Sequence, residues 1–294
     1  MKIAIIGGGA SGFFSAINCK LVDPQCDVVI FEKTNKLLSK VLVSGGGRCN
    51  VTNSEKNLVS FSKYYPRGEK KFREMLKSFS QNDMVKWLNQ NGVSLKSEPD
   101  GRVFPISDSS QTIVDCFLKL AEKTNIEIKS NSTVTSIKKK GETFSLSIKD
   151  KIIDFDKVIV AIGGSNKKES YQLIADLGHN IIDPVPSLFT FNIPNWSLVD
   201  LMGVSVQNAK ISLPDLKLEQ IGPLIITHWG LSGPAVIKLS AWGAKMLFDC
   251  AYQFRIKVSW VGELSESEVL KELLNCKDVH SKAKVMNTNP FQLS

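Results

Sequence analysis

The first 33 residues constrain this chain more than any other stretch. An apolar run, Ile3-Ala4-Ile5-Ile6, leads into Gly7-Gly8-Gly9-Ala10-Ser11-Gly12. A helical pattern follows through Phe13, Ala16, Ile17 and Leu21, and a second apolar run, Val28-Val29-Ile30-Phe31, ends at Glu32. The order predicts strand, glycine turn, helix, strand and acid. Gly7, Gly9 and Gly12 fit G-x-G-x-x-G, whose glycines serve a tight turn, close approach of backbone to a pyrophosphate, and close packing of helix on strand. The helix start, with Ala10 and Ser11 in its first turn, offers unpaired N–H groups and a positive dipole end to phosphates. Glu32 stands about 20 residues beyond Gly12, where a carboxylate accepts hydrogen bonds from ribose hydroxyls and repels a 2′-phosphate. The glycine spacing alone also fits a purely structural turn. The flanking strands, the helix and the acid together favour a dinucleotide site.

With 294 residues, 43% of them hydrophobic, the chain can bury a large core, expected to divide into two domains. No apolar run reaches the ~20 residues that cross a membrane. The N-terminus reads as a strand rather than a cleavable leader. Cysteines 19, 26, 49, 116, 250 and 276 form no C-x-x-C pair, and the three histidines are scattered. That pattern predicts reduced thiols in a cytoplasm and no metal site. The formal charge of +8 raises nucleic acid as a partner. The charges read as dispersed, however, at Lys70-Lys71, Lys138-Lys139-Lys140 and Lys167-Lys168, so solvated faces are expected rather than a clustered basic surface with interleaved aromatics.

Along the chain, Ser44-Gly45-Gly46-Gly47-Arg48-Cys49-Asn50-Val51-Thr52-Asn53 joins three glycines to four polar side chains, either as a surface loop or facing a ligand. Helices are predicted over 69–79, from a Ser80 cap to Asn91-Gly92, and over 110–123. The period then changes to two, giving strands at 126–129, 133–139, 143–149 and 151–155, a β-meander inserted in an α/β domain. Val158–Ile162 reads as a buried parallel strand ending in Gly163-Gly164, where an open sheet admits a ligand. Beyond Pro184 and Pro186 the pattern is β-rich, with strands at 188–193, 204–213, 218–226 and 253–260. Pro234 opens a helix, and Ser265 with Glu268 forms a capping box. Cys49, beside Arg48, is read either as a thiol of lowered pKa or as a packed structural residue. His228 is read as touching substrate or as an ordinary loop histidine.

These segments resemble the bacterial BaiN-type flavoproteins, NAD(P)/FAD-dependent oxidoreductases of glutathione-reductase-like fold. The match rests on the Gly7–Gly12 fingerprint with Glu32, on Lys40 through Asn53, on Gly101–Pro105, on Ala161–Gly164 and on Thr227–Pro234. The resemblance implies a Rossmann-like FAD-binding domain over 1–186 with the inserted meander, a β-barrel-like second domain over 187–262, and the start of a small helical insert over 263–294. It implies that FAD lies along Gly7, Gly9, Ala10, Ser11, Gly12, Glu32 and Lys33, with a backbone contact from Val134 to adenine. It also implies contacts from Lys40, Ser44, Gly45, Gly46, Arg48, Cys49 and Asn50, and from Ala161, Gly163 and Gly164. Members of that family end with a return to the FAD domain that this sequence does not show. The expectation is therefore a C-terminally truncated member with weak flavin retention. The implied activity is hydride transfer from NAD(P)H through flavin N5 to a small unsaturated or carbonyl substrate, with no catalytic side chain assigned. An RNA-binding or tRNA-modifying flavoprotein and a non-catalytic nucleotide-binding remnant are the alternatives. The sequence leaves the oligomeric state open.

Overall fold

The computed structural model describes residues 1–284 and 287–293, which divide into two units, Met1–Asp183 and Pro184–Ser294. Val285, Met286 and Ser294, within the range expected for the helical insert, lie outside the described residues.

In the first unit β1 (Lys2–Ile6) and β2 (Asp27–Phe31) each bury four consecutive residues, as strands covered on both faces must. Helix α1 (Ala10–Val22) joins them and buries Gly12, Phe13, Ala16 and Ile17. The chain continues through α2 (Ser39–Val43), β3 (Thr52–Asn53), α3 (Leu58–Ser62), α4 (Glu69–Leu76) and α5 (Gln81–Gln90). Ser80 accepts from the Asp83 amide and Asp83 reaches back to Ser80, so the capping box forms despite the shorter acid. Then come β4 (Leu95–Ser97), β5 (Arg102–Pro105), α6 (Ser110–Lys123), β6 (Glu127–Lys129), β7 (Val134–Lys140), β8 (Thr143–Ile148), β9 (Lys151–Phe155), β10 (Lys157–Val160) and α7 (Gln172–Ala175).

The central sheet is parallel, in the order β10-β1-β2-β6. Here one reading is corrected. Residues 126–129 were expected in the meander, but β6 extends the parallel sheet beside β2. Ile126 is buried among Phe117, Ala121 and Val28, so this short strand is drawn to the Rossmann core. The meander itself is β7-β8-β9, whose inner face packs Ile137, Leu146 and Phe155 against Ala4, Ile6 and Phe31. A third small sheet, β3-β5-β4, was not foreseen. Strands of two to four residues carry too little periodicity to be read.

The second unit holds β11 (Phe191–Asn192), β12 (Ser205–Leu213), β13 (Leu218–Thr227), β14 (Gly230–Ser232), α8 (Pro234–Asp249), β15 (Lys257–Ser259) and α9 (Glu266–Val279). Its antiparallel sheet, β11-β14-β13-β12-β15, curls into half a barrel. Its buried face holds Ile211, Leu213, Leu224 and Ile226 against Val236, Leu239 and Leu247 of α8. The strands expected over 188–193 and 253–260 shrink to β11 and β15. The first has only two partner residues on β14, and Ala251 and Tyr252 adopt left-handed backbone before the second.

Candidate functional site

A cavity of about 860 Å³ opens where β1, β2 and β10 end, bounded by residues 6–11, 31–34 and 161–165. This carboxyl edge is where open α/β sheets bind ligands. The three fingerprint glycines stand there for different reasons. The Gly7 amide donates to the Phe31 carbonyl at 2.8 Å, and a Cβ on Gly7, at φ +115°, would sit 2.3 Å from the Ala161 carbonyl oxygen. A Cβ on Gly12 would sit 1.9 Å from the Gly7 oxygen. The chain's own packing thus requires both. Gly9 has an ordinary extended backbone (φ −95°, ψ −173°), and a Cβ there would meet nothing within 4 Å. Nothing inside the protein forbids a side chain at Gly9, which lines the cavity. Gly9 supplies no capping side chain to α1. The N–H groups of Ala10 and Ser11 begin a helix that has no acid of its own in its first turn.

Glu32 is held in place before any ligand arrives. Its Oε2 accepts from the Gly8 amide at 2.9 Å, and its Oε1 accepts from the Thr34 amide and hydroxyl, each at 2.9 Å. Partial burial disfavours its charged form, but these hydrogen bonds, with Lys33 nearby, outweigh that and hold the carboxyl below its ordinary value. Lys33, Lys36 and Lys40 add positive charge to the cavity wall. Lys40 Nζ donates to the Gly164 carbonyl at 3.1 Å, tying α2 to the turn after β10. The Leu38 amide donates to the Gly8 carbonyl at 2.8 Å and steadies the glycine turn from the other side.

Of the residues singled out from the sequence, the cavity brings together Gly7, Gly9, Ala10, Ser11, Glu32, Lys33, Lys40, Ser44, Cys49, Asn50, Val134, Ala161, Gly163 and Gly164. Four stand elsewhere. Gly12 is buried behind the turn. Gly45 lies against the Asn50 amide and Phe104, while Gly46 faces open space. Arg48 Nε and Nη2 donate to Asp108 Oδ1 at 2.9 and 2.6 Å, and Nη2 also donates to Glu98 Oε1 at 2.6 Å. Its guanidinium lies 4.0 Å from the Phe104 ring centroid. Arg48 therefore clamps the glycine loop to β5 and the following turn. The reading of Cys49 as a thiol of lowered pKa is corrected: burial pushes it up, only partly offset by a hydrogen bond with Ser44, while Arg48 spends its charge on Glu98 and Asp108. His228 lies in the second unit, its ring 4.3 Å from that of Trp229.

Several lining residues escaped sequence reasoning: Thr34, Ser132, Thr133 and Ser165, with an apolar inner wall of Met84, Leu88, Ile113 and Phe117. Thr34 was recoverable, because a threonine two residues after an acid at a strand end invites the turn it makes on Glu32. Ser165 is fixed by Tyr171, whose hydroxyl accepts from its amide at 2.8 Å and donates to its carbonyl at 2.9 Å. The apolar wall comes from helices distant in sequence and left no local signal.

Parallel sheet, glycine turn, open helix end and fixed acid define a Rossmann-type dinucleotide-binding unit. The model of the HI0933-like protein Rossmann domain matches residues 1–282, and the chain belongs to that family. It is 27% identical over 279 residues to the 3-dehydro-bile acid delta(4,6)-reductase of Clostridium scindens, covering 92% of this chain and 67% of that protein. It is 29% identical over 251 residues to the ribosomal RNA dihydrouridine synthase of Escherichia coli, covering 81% and 60%. The chain thus spans about two thirds or less of the length of these relatives. Among solved structures, THI4 of Thermovibrio ammonificans aligns with a TM-score of 0.39 at 13% identity, over 69% of this chain and 70% of that one.

Proposed function

We propose that this protein holds FAD in the cavity of its first unit. We further propose that it works as a reductase, passing electrons from NAD(P)H to a small substrate whose carbon–carbon double bond is activated by a carbonyl. The observation that carries the reading is Gly9, which lines the cavity and where a Cβ would meet no atom of the protein within 4 Å. The donor set fits the cofactor. Glu32 would accept from the ribose hydroxyls, Val134 would meet adenine, and the open end of α1 with Lys40 would face the pyrophosphate. Ser44, Cys49 and Asn50 on one wall and Ala161, Gly163 and Gly164 on the other would border the flavin. Bound there, FAD supplies hydride-transfer chemistry; the surrounding residues orient it and exclude water. The names of the two relatives each denote saturation of a carbon–carbon bond, in a bile acid or in uridine, which supports that substrate class.

A cytoplasmic location belongs to the same reading, supported by six free thiols. So does a division of the second unit near residue 262, supported by α9 beginning after β15. A second reading, a uridine within RNA as substrate, is favoured by the charge of the first unit. It holds 27 Lys and Arg against 20 Asp and Glu, a net +7. The test is to load the protein with FAD without oxygen, add NADH or NADPH, and then add a conjugated enone or a uridine-containing oligonucleotide. Loss of the flavin absorbance band on adding NAD(P)H and its return with one acceptor supports the proposal. A band that neither reductant bleaches refutes it.

A further inference from the structure

The segment from Lys56 to Lys77 departs from the expectation of dispersed charge, which included Lys70-Lys71. It holds seven Lys and Arg against two acids, Glu69 and Glu74, interleaved with Phe61, Tyr64, Tyr65 and Phe72. In the structure it forms α3 and α4, joined by a turn at Gly68, which has φ +79°. Phe61 is the buried hub of an aromatic cluster: its ring centroid lies 6.4 Å from that of Tyr64, 5.9 Å from Tyr65 and 6.0 Å from Phe72. Tyr65 packs on Phe72 at 3.9 Å. Tyr64, at the rim, remains 64% exposed.

The cations around it are exposed, apart from the half-buried Arg73, and mostly uncommitted. Lys71 pairs with Glu74, but Lys56, Lys63, Lys70, Arg73 and Lys77 have no ion pair among the described residues. Solvated helices usually balance such charges with acids three or four residues away. Here two acids serve seven cations. The patch is also anchored to the cofactor frame. Phe79, just beyond α4, packs edge-on against Phe14 of α1 at 5.3 Å, and α1 opens into the cavity.

We propose that α3 and α4 form a binding surface for single-stranded RNA. Lys56, Lys63, Lys70 and Lys77 would contact phosphates, and the free face of Tyr64 would stack on a base. Uncommitted cations around an exposed ring are what a flexible polyanion with aromatic bases requires. An anionic membrane would use the charge but leave a single rim tyrosine without a specific role. The choice of RNA rests on the second reading above; the surface itself does not depend on flavin chemistry.

The test uses the whole chain, a fluorescein-labelled oligouridine and anisotropy titrations across a salt series. K63Q/K70Q/K77Q should flatten the slope of log affinity against log salt by about 2, at ~0.7 for each single-strand phosphate no longer neutralised. Tyr64→Ala should weaken binding by about tenfold or more. Both variants should keep the parental FAD affinity and melting temperature, so a failed flavin reading shows separately. Four results would each overturn the proposal: no RNA binding; binding untouched by either variant; a loss through charge alone with Tyr64→Ala neutral; and retention on phosphatidylserine vesicles without RNA binding.

Discussion

Replacing Gly9 by valine separates the two roles that glycines play in the fingerprint. In the protein alone the Gly9 backbone is in a region open to any residue, and a Cβ there meets nothing within 4 Å. The variant should therefore fold with a stability within ~1 kcal/mol of the parent, the cost of a poorer helix N-cap. The side chain would project into the space assigned to the pyrophosphate, so FAD affinity should fall at least ~100-fold, about 2.7 kcal/mol. Gly12→Ala is the contrasting case. Its Cβ would overlap the Gly7 oxygen at 1.9 Å, and overpacking of this kind costs about 1–3 kcal/mol, more where backbone must move. For a unit of this size that is a drop in Tm of ~2–12 °C. Thermal melts and FAD titrations on both variants form the assay. If Gly9→Val keeps its FAD affinity, or loses as much stability as Gly12→Ala, the space at Gly9 is not a ligand's.

Glu32→Ala should weaken FAD by about 1–3 kcal/mol, the loss of charge-assisted hydrogen bonds, read by titration. The folded pKa of Glu32 is lowered, so its contribution is fully present above the ordinary glutamate range and fades as pH falls through the lowered value. Thr34→Val removes one of the bonds that stabilise the charged form; the variant should lose stability at neutral pH and converge with the parent as pH falls through the lowered value. Cys49 should be alkylated slowly by iodoacetamide, since burial raises its pKa and leaves it 6% exposed. Mass spectrometry that finds it labelled before the half-buried Cys19, Cys250 and Cys276 would contradict this. Amides of residues 44–53 should exchange more slowly with FAD present, and equal exchange in both states would remove that loop from the site.

The strongest sequence signals were those in which one local pattern met one structural demand. Two four-residue apolar runs around a glycine turn became β1 and β2, paired in register from Lys2–Asp27 to Ile6–Phe31. Ser265 and Glu268 formed their capping box. What stayed hidden depended on partners far along the chain. The fate of Glu127–Lys129 is decided by β2, about a hundred positions away. Arg48 looked like a ligand contact beside three glycines, yet its partners are Glu98 and Asp108, and no spacing rule links an arginine to acids on a later turn. The inner wall from α5 and α6 was hidden for the same reason. Glu32 was legible as an acid at a strand end, but not the three donors that hold it in place.

The central claim is that the cavity of the first unit binds FAD through its adenosine half. Its most direct test is an equilibrium titration of FAD by quenching of flavin fluorescence, with ADP as competitor. The account predicts saturable binding to one site per chain, displaced by ADP and absent in Gly9→Val. Unsaturable quenching, or saturable binding that ADP leaves untouched, would contradict it.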